Sequence, residues 1–284
     1  MAIDTPAPTR QGSVNALDLG DVSVHTYTAP DDGFNVNTTI FELDDRLVVV
    51  DAQLVRMFAA EAADLIKELG KPVDRFILTH NHADHYSGFA TLTERFPGVQ
   101  VAALPSVRDW MGKYADGALA KRRELFGDHF GAPVVPDALL VPGHVDIAGV
   151  RFEFAEVRDA ESEFATTIAL PEHEAIAVVD LVGEPQRHLF TTRGNFDNWI
   201  AELERLRRRT AEEGYKHLLI GHGGPVGPEV VPSAIAYLRA AKEAFANSTT
   251  PEEYRAEVTR LMPERVPESY LEWSSMQLFG IVAK

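Results

Sequence analysis

Apolar positions in this chain fall into short runs divided by turn signals, and the period of each run names an element. Val36 to Leu43 and Arg46 to Asp51 alternate or run apolar around the turn Asp44-Asp45, which predicts a hairpin. Val55 to Leu69 sets Phe58, Ala62, Leu65 and Leu69 on one helical face, and Gly70 and Pro72 follow as stop signals. Val73 to Leu78 reads as a buried strand, Phe89 to Phe96 as a helix closed by Pro97-Gly98, and Val99 to Leu104 as a further strand. Val107 to Phe126 is mostly helical. A second sheet is expected from Ala138 to Val141, Val150 to Val157, Thr166 to Leu170 and Ala175 to Val179, joined later by Lys216 to Ile220. Between them Phe196 to Thr210 is an amphipathic helix, and three more helical segments, 229–247, 251–261 and 267–278, end the chain. Two β-rich halves with helices attached predict an α/β protein and fit a four-layer αββα sandwich with additional C-terminal helices.

The chemistry concentrates where one strand ends. After Phe76-Ile77-Leu78 the chain reads Thr79-His80-Asn81-His82-Ala83-Asp84-His85, three histidines and a carboxylate within six residues. Imidazole and carboxylate are the ligands that zinc accepts. On an extended strand end, positions two apart project to one side, so His80 and His82 can grip one ion together. If a helix starts at Asp84, then Asp84 and His85 rotate away and can grip a second ion nearby. Downstream, two more apolar strands end in a carboxylate or an imidazole: Ala177-Val178-Val179-Asp180 and Leu218-Leu219-Ile220-Gly221-His222.

The motif His-x-His-x-Asp-His after an apolar strand resembles the signature of the metallo-β-lactamase superfamily, and the likeness extends over nearly the whole chain. Within it, the chain looks most like the glyoxylase-like metal-dependent hydrolases. The resemblance implies two metal sites, with Asp180 as the bridging ligand and His222 as the last one. This chain departs from the family twice. Val179 stands where glycine usually precedes the bridging aspartate, and the middle histidine ligand is absent. In its place the chain reads Val157-Arg158-Asp159-Ala160-Glu161-Ser162-Glu163. Asp159, one residue past the apolar strand, is the expected substitute; Glu161 is the alternative, since the alkylsulfatase type is similar in using glutamate there. The expected metal set is therefore His80, His82, Asp84, His85, Asp159, Asp180 and His222, holding two zinc ions. A carboxylate in place of imidazole makes Fe or Mn acceptable in the site of His80 and His82.

Asp84 is expected to act catalytically as well, orienting the nucleophile and accepting its proton. The resemblance also implies pocket roles for His188, in the loop leaving Asp180, and for Trp199, at the start of the next helix. The reaction implied is hydrolysis of an ester, thioester, lactone or amide of a small metabolite by metal-activated water. Two alternatives stay open: a mononuclear non-haem iron oxidoreductase using two histidines and one carboxylate, and a metal-binding relative without catalysis. No Gly-x-Ser-x-Gly motif offers a serine nucleophile instead.

Composition removes other classes. A net charge of −16 opposes binding to a phosphate backbone, so a small molecule rather than nucleic acid is the expected partner. No apolar run reaches membrane-spanning length, and the first residues lack a basic head and an apolar core, so a cytoplasmic location is expected. With no cysteine, thiolate zinc ligation, disulfides and thiol catalysis are all excluded. The expected organisation is a disordered segment over 1–12, a catalytic domain over 13–228 and a helical extension over 229–284 packed on it. The apolar positions of that extension suit core packing first, with a homodimer face or a pocket wall as alternatives.

Overall fold

The computed structural model describes residues 11–127 and 129–281. Most of the segment expected to be disordered lies outside these residues; Gln11 and Gly12 are described, and their amides donate to the Glu61 carboxylate.

The first half builds a seven-stranded sheet. Its strands are β1 (Ser13–Asp18), β2 (Ser23–Thr28), β3 (Asn37–Glu42) and β4 (Leu47–Val50). Helix α1 (Arg56–Glu68) then leads to β5 (Val73–Ile77), the short α2 (Ala83–Tyr86), α3 (Phe89–Arg95), β6 (Val101–Ala103), α4 (Pro105–Phe126) and β7 (Ala138–Leu139). The strands lie in chain order, antiparallel from β1 to β4 and parallel from β4 to β7. Parallel neighbours need crossover helices, and α1, α3 and α4 supply them.

The second half is a five-stranded sheet in the order β12-β11-β10-β9-β8. It comprises β8 (Gly143–Ile147), β9 (Val150–Arg158), β10 (Phe164–Leu170), β11 (Ala175–Val179) and, after α5 (Phe196–Glu213), β12 (His217–Ile220). Helices α6 (Val230–Ala246), α7 (Pro251–Leu261) and α8 (Glu268–Leu278) follow.

Three apolar layers hold the sandwich. Between the sheets, Phe41, Val48 and Ile77 meet Phe152, Phe154 and Ile168. Outside the first sheet, Phe58 and Ala62 of α1 and Met111 of α4 cover Val49 and Phe76. Outside the second, Trp199 and Leu203 of α5, Leu238 of α6, Tyr254 of α7 and Leu271 of α8 cover Ile176 and Leu218. The C-terminal helices thus share the core of the second sheet. Each fully buried large apolar side chain contributes about 1.5–3 kcal/mol, so these layers dominate the stability.

Two features differ from the sequence reading. The strand at Ala138 pairs with β6 and closes the first sheet instead of opening the second. Strands β1, β2 and β8 carry too few apolar residues to announce themselves; β1 is an exposed edge, defined by its pairing with β2.

The sheets are also stitched together at one end. His80 bridges to Ala165, and the Thr166 amide donates to Thr79 O at 2.9 Å. On the other side Val36 bridges to His222, and the Asn37 amide donates to Gly221 O at 2.8 Å. These stitches bring the ends of β5, β11 and β12 to one cleft.

Candidate metal centre

His80 and His82 leave the end of β5 in extended backbone, and α2 begins at Ala83, so Asp84 and His85 turn toward a second position. Their alternation and the helix start follow the sequence argument directly. Asp180 follows β11 at a register shift against β12, where Val179 adopts φ 51°. A β-branched residue in that left-handed region costs on the order of 1–2 kcal/mol. Opposite, Gly221 is required: a Cβ on it would stand 1.8 Å from Asp180 Oδ1.

These side chains form three clusters that overlap through His80 and His85. His80, His82, Glu161 and Asp180 offer donor atoms within 4.8 Å of one another, and so do Asp51, His80 and His85, and Asp84, His85 and His222. Asp180 Oδ2 lies 3.6 Å from His80 Nε2, 3.3 Å from His85 Nε2 and 3.3 Å from His222 Nε2. Asp84 Oδ2 lies 3.4 Å from His222 Nε2 and 3.6 Å from His85 Nε2, and Glu161 Oε1 lies 3.2 Å from His82 Nδ1. Donors placed about 2.0–2.1 Å from one tetrahedral ion stand roughly 3.4 Å apart, so the spacing is that of ligands around ions.

The hydrogen bonds on the far side of each ring fix which nitrogen faces the cleft. His222 Nδ1 donates to Phe34 O at 2.7 Å; a carbonyl only accepts, so Nε2 is left with its lone pair. His85 Nδ1 pairs with Asp51 Oδ2 at 2.9 Å. The Thr79 hydroxyl donates to Asp51 Oδ2 at 2.7 Å and therefore accepts from His80 Nδ1 at 2.9 Å. Three imidazoles are thus held with Nε2 aimed inward, and such outer partners raise ligand basicity.

Inward, the polar atoms are orphaned. His80, His85 and His222 Nε2, both Glu161 oxygens and Asp180 Oδ1 are buried without a hydrogen bond among the described residues. So many unsatisfied buried atoms in one place call for a ligand, and their donor set fits a divalent cation. The electrostatics agree. Against the effect of burial, Asp180, Asp84 and Asp51 hold the His85 pKa well above its ordinary value. Against burial too, His222 is raised by Asp180, and His82 by Glu161. The Asp180 carboxyl is held well below the usual range, burial being outweighed by His85 and His222. The acids demand positive charge here.

Of the residues expected from the sequence, His80, His82, Asp84, His85, Asp180 and His222 converge. Asp159 does not. It begins the β9–β10 loop with φ 49°, its side chain is 57% exposed, and Arg193 Nη2 approaches its Oδ1 at 3.4 Å. That left-handed turn sends Asp159 outward and folds Ala160, Glu161 and Ser162 inward, so Glu161 takes the place next to His80 and His82.

His188 and Trp199 are not in the cleft either. His188 is 3% exposed beneath α6, with Nδ1 3.2 Å from the Tyr237 hydroxyl, and burial together with the Arg265 charge pushes its pKa down to about 4. Trp199 is 2% exposed in the second core, and its indole N–H donates to Leu181 O at 3.0 Å. It therefore steadies the residue after Asp180 from behind.

The sequence reading missed Asp51 and Asn37. Asp51 ends the apolar run Val48-Val49-Val50, the same signal that marked Asp180. Asn37 donates its side-chain N–H groups to Ile220 O and Gly223 O at 2.7 and 2.6 Å, pinning the turn that carries His222. Nothing local distinguishes it.

A sequence model of the metallo-β-lactamase superfamily matches residues 31–213. The chain belongs to that superfamily. Solved metallo-β-lactamase folds superpose on it: a metallo-β-lactamase from Pontibacter korlensis has a TM-score of 0.62 at 18% identity, covering 81% of this chain and 99% of that one. The stereoselective inverting sec-alkylsulfatase Pisa1 from Pseudomonas sp. has a TM-score of 0.63 at 21% identity, covering 89% of this chain and 48% of that one. Among curated proteins, the uncharacterised protein YobT of Bacillus subtilis (strain 168) is 32% identical over 68 residues, 24% of this chain. That match spans 29% of YobT's length. Among the described residues, no helix is long and apolar enough to cross a membrane.

Proposed function

We propose that this chain is a binuclear metal-dependent hydrolase of a small-molecule ester, thioester, lactone or amide. His80, His82 and Glu161 would hold one ion, Asp84, His85 and His222 the other, and Asp180 would be shared. The observation that carries this reading is the position of Asp180 Oδ2, within 3.3–3.6 Å of three inward-facing imidazole nitrogens. Charge supports two ions. Asp51, Asp84, Glu161 and Asp180 together match two divalent cations, whereas one would leave the buried cluster anionic. Nitrogen and oxygen donors suit zinc, and the harder set of His80, His82 and Glu161 also suits Mn²⁺ or Fe²⁺.

A divalent ion bound there supplies Lewis acidity and brings the pKa of a coordinated water down to about 7. The protein supplies position and proton handling. Asp84 remains 22% exposed with His85 and His222 beside it, so its free carboxylate oxygen is the group that can take a proton from an attacking water. His82, 30% exposed, faces the opening on the Glu161 side. The buried rings of His80 and His85 form the dry floor, which strengthens every charge interaction above it.

Elemental analysis of protein purified without added metal should find about two ions per chain. A panel of carboxylic esters, thioesters, lactones, amides and, given the alkylsulfatase likeness, sulfate esters should then reveal a substrate whose turnover disappears in His222→Ala. Glu161 favours one second reading, because His80, His82 and Glu161 make a two-histidine-one-carboxylate face. About one iron per chain, with oxygen uptake and no hydrolysis across the panel, would replace the first reading by that one. The absence of bound Zn²⁺, Mn²⁺ or Fe²⁺ would end both.

A further inference from the structure

The Phe34 carbonyl oxygen accepts from His222 Nδ1 at 2.7 Å, and on its other side it accepts from the Tyr270 hydroxyl. Tyr270 belongs to α8, far beyond the residues that match the superfamily. Its hydroxyl also reaches Asn35 Oδ1 at 3.2 Å. We propose that Tyr270 is a positioning residue for the metal centre, fixing His222 through the backbone carbonyl of Phe34. This inference rests on the proposed metal-binding role of His222.

The backbone explains why such a brace is needed. Phe34 and Asn35 adopt φ 58° and 52°, two consecutive side-chain-bearing residues in the left-handed region. Such a pair holds only where its surroundings over-determine it. Here Gly223 N donates to Asn35 O at 3.1 Å, and Arg187 Nη1 donates to Asn35 Oδ1 at 2.5 Å. Asn35 Nδ2 in turn donates to Asp31 Oδ1 at 3.0 Å. All of these hold Asn35. Among the described residues, only Tyr270 shares an acceptor with His222.

A carbonyl oxygen has two lone pairs, and here both are used. The N–H of the same peptide, Asn35 N, donates to Pro30 O at 3.2 Å, so losing the hydroxyl removes one of the constraints on the acceptor that aims the His222 ring. The rest of Tyr270 is well anchored: its ring stacks on Phe190 with centroids 4.4 Å apart and planes at 26°, and it is 2% exposed. Tyr270→Phe therefore removes the donor and keeps the packing.

The test is metal affinity in a competition titration of the apo protein with Zn²⁺ against a chelator. The site containing His222 is identified as the one lost in His222→Ala. Removing an outer partner of a metal-ligating histidine typically weakens binding 10–100-fold. Tyr270 acts one bond further out, so Tyr270→Phe should weaken that site about tenfold. 4-Aminophenylalanine at position 270, which restores an N–H donor on the same ring, should recover most of the loss. Coupling is reciprocal, so Zn²⁺ added to the wild-type protein should slow amide hydrogen exchange in residues 268–278. That measurement needs no variant, and it decides the matter if Tyr270→Phe does not fold. Equal Zn²⁺ affinity in Tyr270→Phe and wild type, or unchanged exchange in 268–278, overturns the inference while leaving the metal site intact. A wild-type protein that binds no metal overturns both.

Discussion

Asp51 Oδ2 stands 2.9 Å from His85 Nδ1, inside a pair that is shut off from solvent on both sides. The same carboxylate takes the Thr79 amide at 2.8 Å and the Thr79 hydroxyl at 2.7 Å, and that hydroxyl turns His80. One acid therefore orients two imidazoles that belong to different halves of the centre. It holds a left-handed backbone, φ 58°, to do so.

Asp51→Asn keeps the shape of this pair and withdraws its charge. The amide oxygen can still accept from His85 and the Thr79 hydroxyl, but the amide nitrogen then becomes a donor facing the Thr79 N–H. Metal affinity should fall by roughly 10–100-fold in both sites, as for other losses of an outer-sphere partner. Isothermal titration of the apo protein with Zn²⁺ reads this directly. A drop confined to one site would mean that Thr79 orients His80 without help from Asp51.

Glu161 and Asp159 separate cleanly. Glu161→Gln should cost the ion held by His80 and His82 and leave the other, whereas Asp159→Asn should leave both in place. The reason is burial: both Glu161 oxygens are enclosed beside His80 and His82 without a hydrogen bond, while Asp159 is out in solvent beside Arg193. Metal counting by inductively coupled plasma analysis on the two variants is sufficient. Full occupancy in Glu161→Gln would return the place to another acid.

Gly221→Ala is expected to be among the most damaging small substitutions in the chain. The added methyl would overlap Asp180 Oδ1 and also approach His85 Cε1 at 3.0 Å, so Asp180 must leave its shared position. Loss of that shared ligand should weaken both sites, and bound metal after gel filtration should be near zero. Far-ultraviolet circular dichroism should stay close to wild type, because Gly221 follows β12 and the strand itself is untouched. Retention of two ions would show that the backbone can shift to absorb the methyl.

His188 predicts a pH effect on stability with a definite sign. Its folded pKa is pushed down to about 4 from 6.5, so below 6.5 the unfolded chain binds the proton more readily than the folded one. The stability it contributes is complete above pH 6.5 and is lost as the pH falls toward 4. His188→Gln lacks this titration. The denaturant midpoints of wild type and variant should therefore draw together between pH 7.5 and pH 4.5. Curves that run parallel over that range would show that His188 titrates alike in both states.

The ligands that share a short stretch, and the acids and histidines that end apolar strands, were legible before any fold was known. His80, His82, Asp84 and His85 sit on consecutive turns of backbone whose directions follow from local geometry alone. Asp180 and His222 are announced by the strands that precede them. Local pattern also gave most helices and the layered architecture, because a period names the face that must be buried. It failed wherever the answer depended on what lies opposite. Asp159 and Glu161 are two residues apart in one loop, and a single left-handed turn at Asp159 decided which of them points inward. His188 and Trp199 occupy a loop and helix next to the site in sequence, yet α6 and the second core enclose them. Asp51, Asn37 and Tyr270 meet His85, the His222 turn and Phe34 across 34, 183 and 236 positions of chain. Sequence spacing carries no information at that range; only the packing of the two sheets and the C-terminal helices brings those atoms within hydrogen-bond distance.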